Sequence, residues 1–197
     1  MHTATVGFRV HSGWAAEVVL CGPVDAPVVV DRRKIQLVET FSYTFRQPYH
    51  TAEKMPRPDG AKFIRSVQTE AKRLALSALR TLRANLAEGD FKLAYGALLL
   101  ASGRTLPTLE RILASHALIH TADGELFRDS LRAACAHCNL PVHAIREKEL
   151  FGAASKALGI SEAVLKRRVA ALGKALGPPW GQDEKLAALG AWLTLAR

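Results

Sequence analysis

The chain has 197 residues, 49% of them hydrophobic, enough apolar material for one substantial core. Its 27 Lys and Arg against 18 Asp and Glu leave a formal charge of +9, a balance that favours polyanionic partners such as DNA or RNA. Arg9, His11 and Glu17 interrupt the first twenty residues, which therefore lack an export-signal pattern, and no apolar run approaches the roughly 20 residues a membrane span needs. Three cysteines, Cys21, Cys135 and Cys138, are too few for a disulfide framework, so the expected setting is the cytoplasm, away from any membrane.

Residues 3–11 alternate apolar and polar positions, Ser12-Gly13 supplies a turn, and 14–21 reads as a second strand, which predicts an antiparallel hairpin. A third strand-like run, 27–38, carries the cluster Asp31-Arg32-Arg33-Lys34, where a bulge or a break into two strands is expected. Residues 39–59 hold Pro48, Pro56 and Pro58 among Phe41, Tyr43, Phe45 and Tyr49, and read as an irregular loop with aromatic anchors.

From 60 to 88, apolar residues recur at helical spacing, with Lys62, Arg65, Lys72, Arg73, Arg80 and Arg83 mostly off the stripe, and Gly89 ends the helix. Residues 93–101 form a short apolar run expected to be the central strand, buried on both faces. Helices follow from Pro107 to about 118 and from about 122 to 137, then a last strand over 140–145. The final part, 150–197, reads as helices over 150–158, 161–176 with Ser161 as N-cap, and 183–195, all belonging to the same single domain, 1–197.

Three antiparallel strands, a helix, a parallel strand, helix, parallel strand and closing helix form the order of the ribonuclease H-like fold: an α/β mixed sheet flanked by helices, here with a helical C-terminal extension. The segments Val6-Gly7-Phe8-Arg9, Gly13-Trp14-Ala15 and Lys185-Leu186-Ala187-Ala188-Leu189-Gly190-Ala191 resemble a distant member of the group containing bacterial Holliday-junction resolvases. That resemblance spans about 3–195. It implies phosphodiester cleavage by clustered carboxylates holding two divalent ions.

The acids of that group would fall at Arg9 in the first strand, at Ser102 after the fourth and near Gln182 and Lys185 in the last helix. A shift of one residue brings in Asp183 or Glu184, and Glu70 is a further carboxylate, but a guanidinium at Arg9 competes with a metal ion. The resemblance thus implies a scaffold without its two-metal site. No cofactor is expected, and Mg²⁺ or Mn²⁺ enters only if a metal-dependent nuclease or phosphoesterase is built from a different alignment.

The densest polar cluster runs from Ser115 to Asp129. Its functional reading makes His120 a general base, with Asp123 or Glu125 orienting it or binding a metal and Arg128 meeting a phosphate. Its structural reading has Thr121 capping a helix, with Asp123 and Glu125 favouring that helix's positive end. Joining His116 and His120 to Cys135, His137 and Cys138 as a zinc site is opposed by the roughly 20 Å that a helix over 122–137 puts between the pairs.

Candidate nucleic-acid contacts are Arg9, Arg32, Arg33, Lys34, Arg46, Arg104, Lys166, Arg167 and Arg168. Phe41 to Tyr49 could stack on bases, although packing accounts for such side chains too. Residues 158–169 also resemble a helix-turn-helix whose second helix carries Lys166, Arg167 and Arg168. Gly7, Gly13 and Gly103 match no phosphate-loop pattern and read as turn glycines.

The leading expectation is a non-catalytic ribonuclease H-like protein that binds nucleic acid or a nucleoprotein through basic surfaces. The alternatives are a hydrolase built from Asp183, Glu184, Glu70 or the His120 to Glu125 segment, and a protein-interaction module docking through Pro178-Pro179-Trp180 and the last helix, with burial of Trp180 and Trp192 counting against the latter.

Overall fold

The computed structural model describes residues 1–103 and 105–196. Strands β1 (His2–His11) and β2 (Trp14–Cys21) form the expected hairpin, with Gly13 at φ 85° in its turn, a conformation that costs glycine little. β3 (Val28–Gln36) extends it antiparallel. It is one strand with a bulge at Val30, where the pairing steps from Val19 opposite Asp31 to Leu20 opposite Val29.

β4 (Phe91–Leu100) and β5 (Val142–Arg146) add in parallel, giving the order β3-β2-β1-β4-β5. The central strand is therefore β1 and not the 93–101 run. An apolar run shows that a strand is covered on both faces, and β4 is, but it does not say how many strands lie beyond it.

One face of the sheet carries α3 (Arg57–Glu88), whose Ile64, Val67, Ala71, Ala75, Leu79, Leu82 and Leu86 pack with Val6, Phe8 and Val10 of β1. Beside α3 lies α5 (His116–His137). The opposite face carries α8 (Gln182–Leu195), with α6 (Leu150–Leu158) and α7 (Glu162–Leu172) packed around it over Ala16, Val18, Leu20 and Leu99. Small residues let α8 settle onto the backbone of β1. A Cβ on Gly7 would lie 1.8 Å from the Ala187 carbonyl oxygen, so Gly7 is a packing glycine in mid-strand and not a turn glycine.

Two stretches differ from the sequence reading. Residues 39–59 contain two short helices, α1 (Tyr43–Arg46) and α2 (Pro48–Ala52), because Pro48 starts a helix at its first position, where the missing N–H costs nothing. Pro56 and Pro58 likewise flank the start of α3 at Arg57. After β4 a short α4 (Leu109–Leu113) precedes α5, which begins at His116 and not near 122. Thr121 therefore caps nothing: its hydroxyl donates to the Ala117 carbonyl within α5. No helix among the described residues is long and apolar enough to cross a membrane.

Candidate nucleic-acid interface

Alternation along β1 turns Thr5, Gly7 and Arg9 toward α8, while Val6, Phe8 and Val10 enter the α3 core. At the C-terminal end of β1, the turn after β5 and the first turn of α8 converge on Arg9. Its Nε donates to Glu147 Oε2 at 3.0 Å and its Nη2 to Glu147 Oε1 at 2.9 Å, a bidentate pair. Nη1 donates to Asp183 Oδ1, which also lies 2.8 Å from His11 Nε2.

Burial works against the Arg9 charge, but Glu147 and then Asp183 outweigh it and raise the pKa of the guanidinium above its ordinary value. Burial would also raise Asp183, but hydrogen bonding and charge from His11, then from Arg9, hold it below the usual carboxylate range. A metal pair does not fit this arrangement. The guanidinium already bridges Glu147 and Asp183, the two carboxylates a cation would need.

From this point a ladder of rings and cations runs along the rim of the sheet. His11 stacks on Trp14 with centroids 4.4 Å apart and planes 11° from parallel. Lys34 Nζ lies 4.3 Å from the Trp14 ring and 5.5 Å from Phe41, whose other neighbour is Arg46, with its guanidinium carbon 4.4 Å from the ring. Arg46 is braced by a bond from its Nε to the Ser12 carbonyl at 3.1 Å. Phe41 is 43% exposed and Tyr43 56%, so their rings are open to a ligand.

No family model and no curated protein matches the sequence. Among solved structures, Thermus thermophilus RuvC in complex with a Holliday junction substrate aligns with a TM-score of 0.52 at 12% identity, covering 98% of this chain and 92% of that one. A second Thermus thermophilus RuvC structure gives 0.51 at 11%, over 96% and 91%. The chain has the ribonuclease H-like fold of RuvC. At such identities the likeness is one of fold.

On this RuvC-like scaffold the predicted basic contacts separate into two kinds. Arg9, Lys34 and Arg46 belong to the rim just described. Arg32 is turned inward, its Nη1 donating to the carbonyls of Gly177 at 2.9 Å and Pro179 at 2.5 Å. Arg33 lies on the other face of β3, paired through Nε with Asp31 at 2.7 Å. On α7, Arg168 bonds to the Asp25 carbonyl and covers Trp192, Lys166 lies over Phe151, and Arg167 is exposed. The helix-turn-helix pattern of 158–169 thus directs two of its three cations onto the protein itself. Arg104 lies outside the described residues.

The predicted acids are dispersed across the RuvC-like fold. Asp183 joins Arg9, but Glu184 accepts from the Gly181 N–H at 2.8 Å as a helix cap, and Glu70 accepts from the Glu39 N–H at 2.8 Å on the far side of α3. Glu125 is buried against Arg128 at 3.1 Å. Asp123 does not orient His120. It is buried, accepting from His50 Nδ1 at 2.5 Å and from the Tyr49 N–H at 2.7 Å, while burial outweighs both bonds and raises its pKa.

Cys135 is buried and its thiol is pushed up to about 12, chiefly by desolvation. It lies far along α5 from His116, and His137 meets Arg80 at 3.2 Å. Of the Pro178-Pro179-Trp180 segment, the two prolines are exposed and Trp180 turns inward. Trp180 covers Gly173 and donates to the Val169 carbonyl at 2.9 Å, and Trp192 is fully buried.

Four site residues escaped the sequence reading as contacts: His11, Trp14, Glu147 and His50. His11 and Trp14 carried a usable signal, since they flank the hairpin turn close to Arg9. The others did not, because their partners lie 138 and 73 residues away.

Proposed function

We propose that this protein is a cytoplasmic, non-cleaving nucleic-acid-binding domain, spanning 1–197, that engages single-stranded or branched DNA or RNA along the rim from Arg9 to Arg46. The observation that carries the reading is the ladder His11, Trp14, Lys34, Phe41 and Arg46, in which rings able to stack on bases alternate with cations able to meet phosphates. It adjoins Arg9, where the carboxylates of a two-metal nuclease would have to gather and where an arginine holds Glu147 and Asp183 instead. The likeness in fold to RuvC bound to a Holliday junction supports a nucleic-acid ligand, and three free cysteines suit a reducing compartment.

The test is a titration of pure protein against fluorescent single-stranded, duplex and branched DNA and against RNA, with and without Mg²⁺ or Mn²⁺, each mixture then examined for cleavage. Binding without cleavage, weakened at least tenfold by Phe41→Ala, is the expected result. Metal-dependent cleavage abolished by Asp183→Asn would replace this reading with the nuclease one. Absence of binding to every probe at low salt would remove nucleic acid as the ligand.

A further inference from the structure

We propose that His50, His116 and His120 form a mononuclear binding site for a first-row transition dication of the zinc class, with Asp123 as the carboxylate that orients His50. One ligand nitrogen from each of the three imidazoles lies within 4.8 Å of the other two, and they are the one group of three or more metal-ligating side chains so placed among the described residues. A tetrahedral zinc with bonds of about 2.0–2.1 Å holds its ligand nitrogens about 3.3 Å apart. His116 Nε2 and His120 Nε2 are already 3.1 Å apart.

The rings converge edge to face, with centroid separations of 5.3 Å for His50 and His116, 4.4 Å for His50 and His120, and 4.5 Å for His116 and His120. His116 and His120 stand one turn apart on one face of α5, and α2 brings His50 across to them.

His116 and His120 occupy the first turns of α5 and are exposed, open to an ion from solvent. His50 is buried with its Nδ1 2.5 Å from Asp123 Oδ2, a carboxylate placed to hold the ring as an outer partner and to leave Nε2 as the nitrogen for an ion. Asp123 is itself fixed by the Tyr49 N–H and brings a buried negative charge to the site. A carboxylate behind one histidine and an i, i+4 pair facing it are the parts of a three-imidazole centre, which suits zinc, cobalt or nickel better than the hard ions Mg²⁺ and Ca²⁺.

Three protein ligands leave one position of a tetrahedral ion for water or another oxygen. His120 also lines a cleft of about 350 Å³ shared with His11, Ser12, Ser102 and Arg128. The site is independent of the nucleic-acid reading, and its test needs no nucleic acid.

Metal-stripped full-length protein is titrated with Zn²⁺ by calorimetry and with Co²⁺ by visible absorption, with Mg²⁺ as the hard-ion control. The expected results are one Zn²⁺ per chain, intense four-coordinate Co²⁺ bands and no comparable Mg²⁺ binding. His116→Ala and His120→Ala, at exposed positions, should each weaken Zn²⁺ binding at least tenfold, and Asp123→Asn 10- to 100-fold, an effect typical of losing an outer carboxylate. No stoichiometric Zn²⁺ binding by the wild-type chain overturns the proposal. So does binding that survives the two exposed histidine variants, or binding that disappears only when Cys135 and Cys138 become Ser.

Discussion

Glu17 lies in β2 on the α3 side of the sheet, 1% exposed, with neither carboxylate oxygen hydrogen-bonded. Burial first, and then the charge of Asp31, push its pKa up to about 8, against a smaller opposing pull from Arg33. Native Glu17 keeps its proton up to that value, whereas the unfolded chain releases it near 4.5. Between the two the native state binds more protons, so stability falls as pH rises from about 4.5 to about 8 and this group has no effect below that window. Replacing Glu17 by Met should therefore stabilise the protein on the order of 3 kcal/mol at pH 8 and little at pH 4.5. Urea denaturation of both proteins across that range checks it, and a parallel offset at all pH values would contradict the assignment.

The contact of α8 with β1 is set by missing side chains. Gly7 sits directly beneath the Ala187 carbonyl and Gly190 against Ala97, so the helix axis approaches the sheet more closely than larger residues would allow. Gly7→Ala forces a helix backbone to retreat, and the expected cost is about 3 kcal/mol by chemical denaturation, the upper part of the range for overpacking. Gly152, inside α6, has only Glu162 Oε1 at 3.9 Å within reach of an added Cβ. Gly152→Ala should stabilise by about 0.5–1 kcal/mol, since alanine loses less backbone entropy in a helix. The opposite signs separate close approach from ordinary helix propensity.

At the scale of the molecule, a charge of +9 does not by itself say where a polyanion binds. Arg32, Arg33 and Arg168 are engaged by Gly177, Asp31 and Asp25. Lys34 and Arg46 share Phe41 on the rim. Lys34→Ala and Arg46→Ala should each weaken nucleic-acid binding across sequences and reduce the slope of log affinity against log salt by about 1, while Arg167→Ala on α7 should leave the slope unchanged. Titrations at several salt concentrations measure this directly. Equal loss from the Arg167 change would place the polyanion along α7 instead.

The sequence by itself determined the strands and the long helix and so the fold class, because alternation with period two and a stripe with period near 3.6 are local properties of 3–11, 14–21 and 60–88. The resemblance it carries also led to the expectation that Arg9 stands where the related group has a carboxylate. Only the tertiary structure decided that β1 is central, that Glu147 is the partner of Arg9, that Glu184 is a cap, and that Asp123 serves His50 and not His120. Each of those facts depends on the approach of side chains or strands far apart in the chain, and local pattern carries no record of such distances. The prolines at 48, 56 and 58 show the same limit in reverse. Their rings are compatible with a loop or a helix start, and packing of α2 against α3 and α5 selected the helix that carries His50 to its partners.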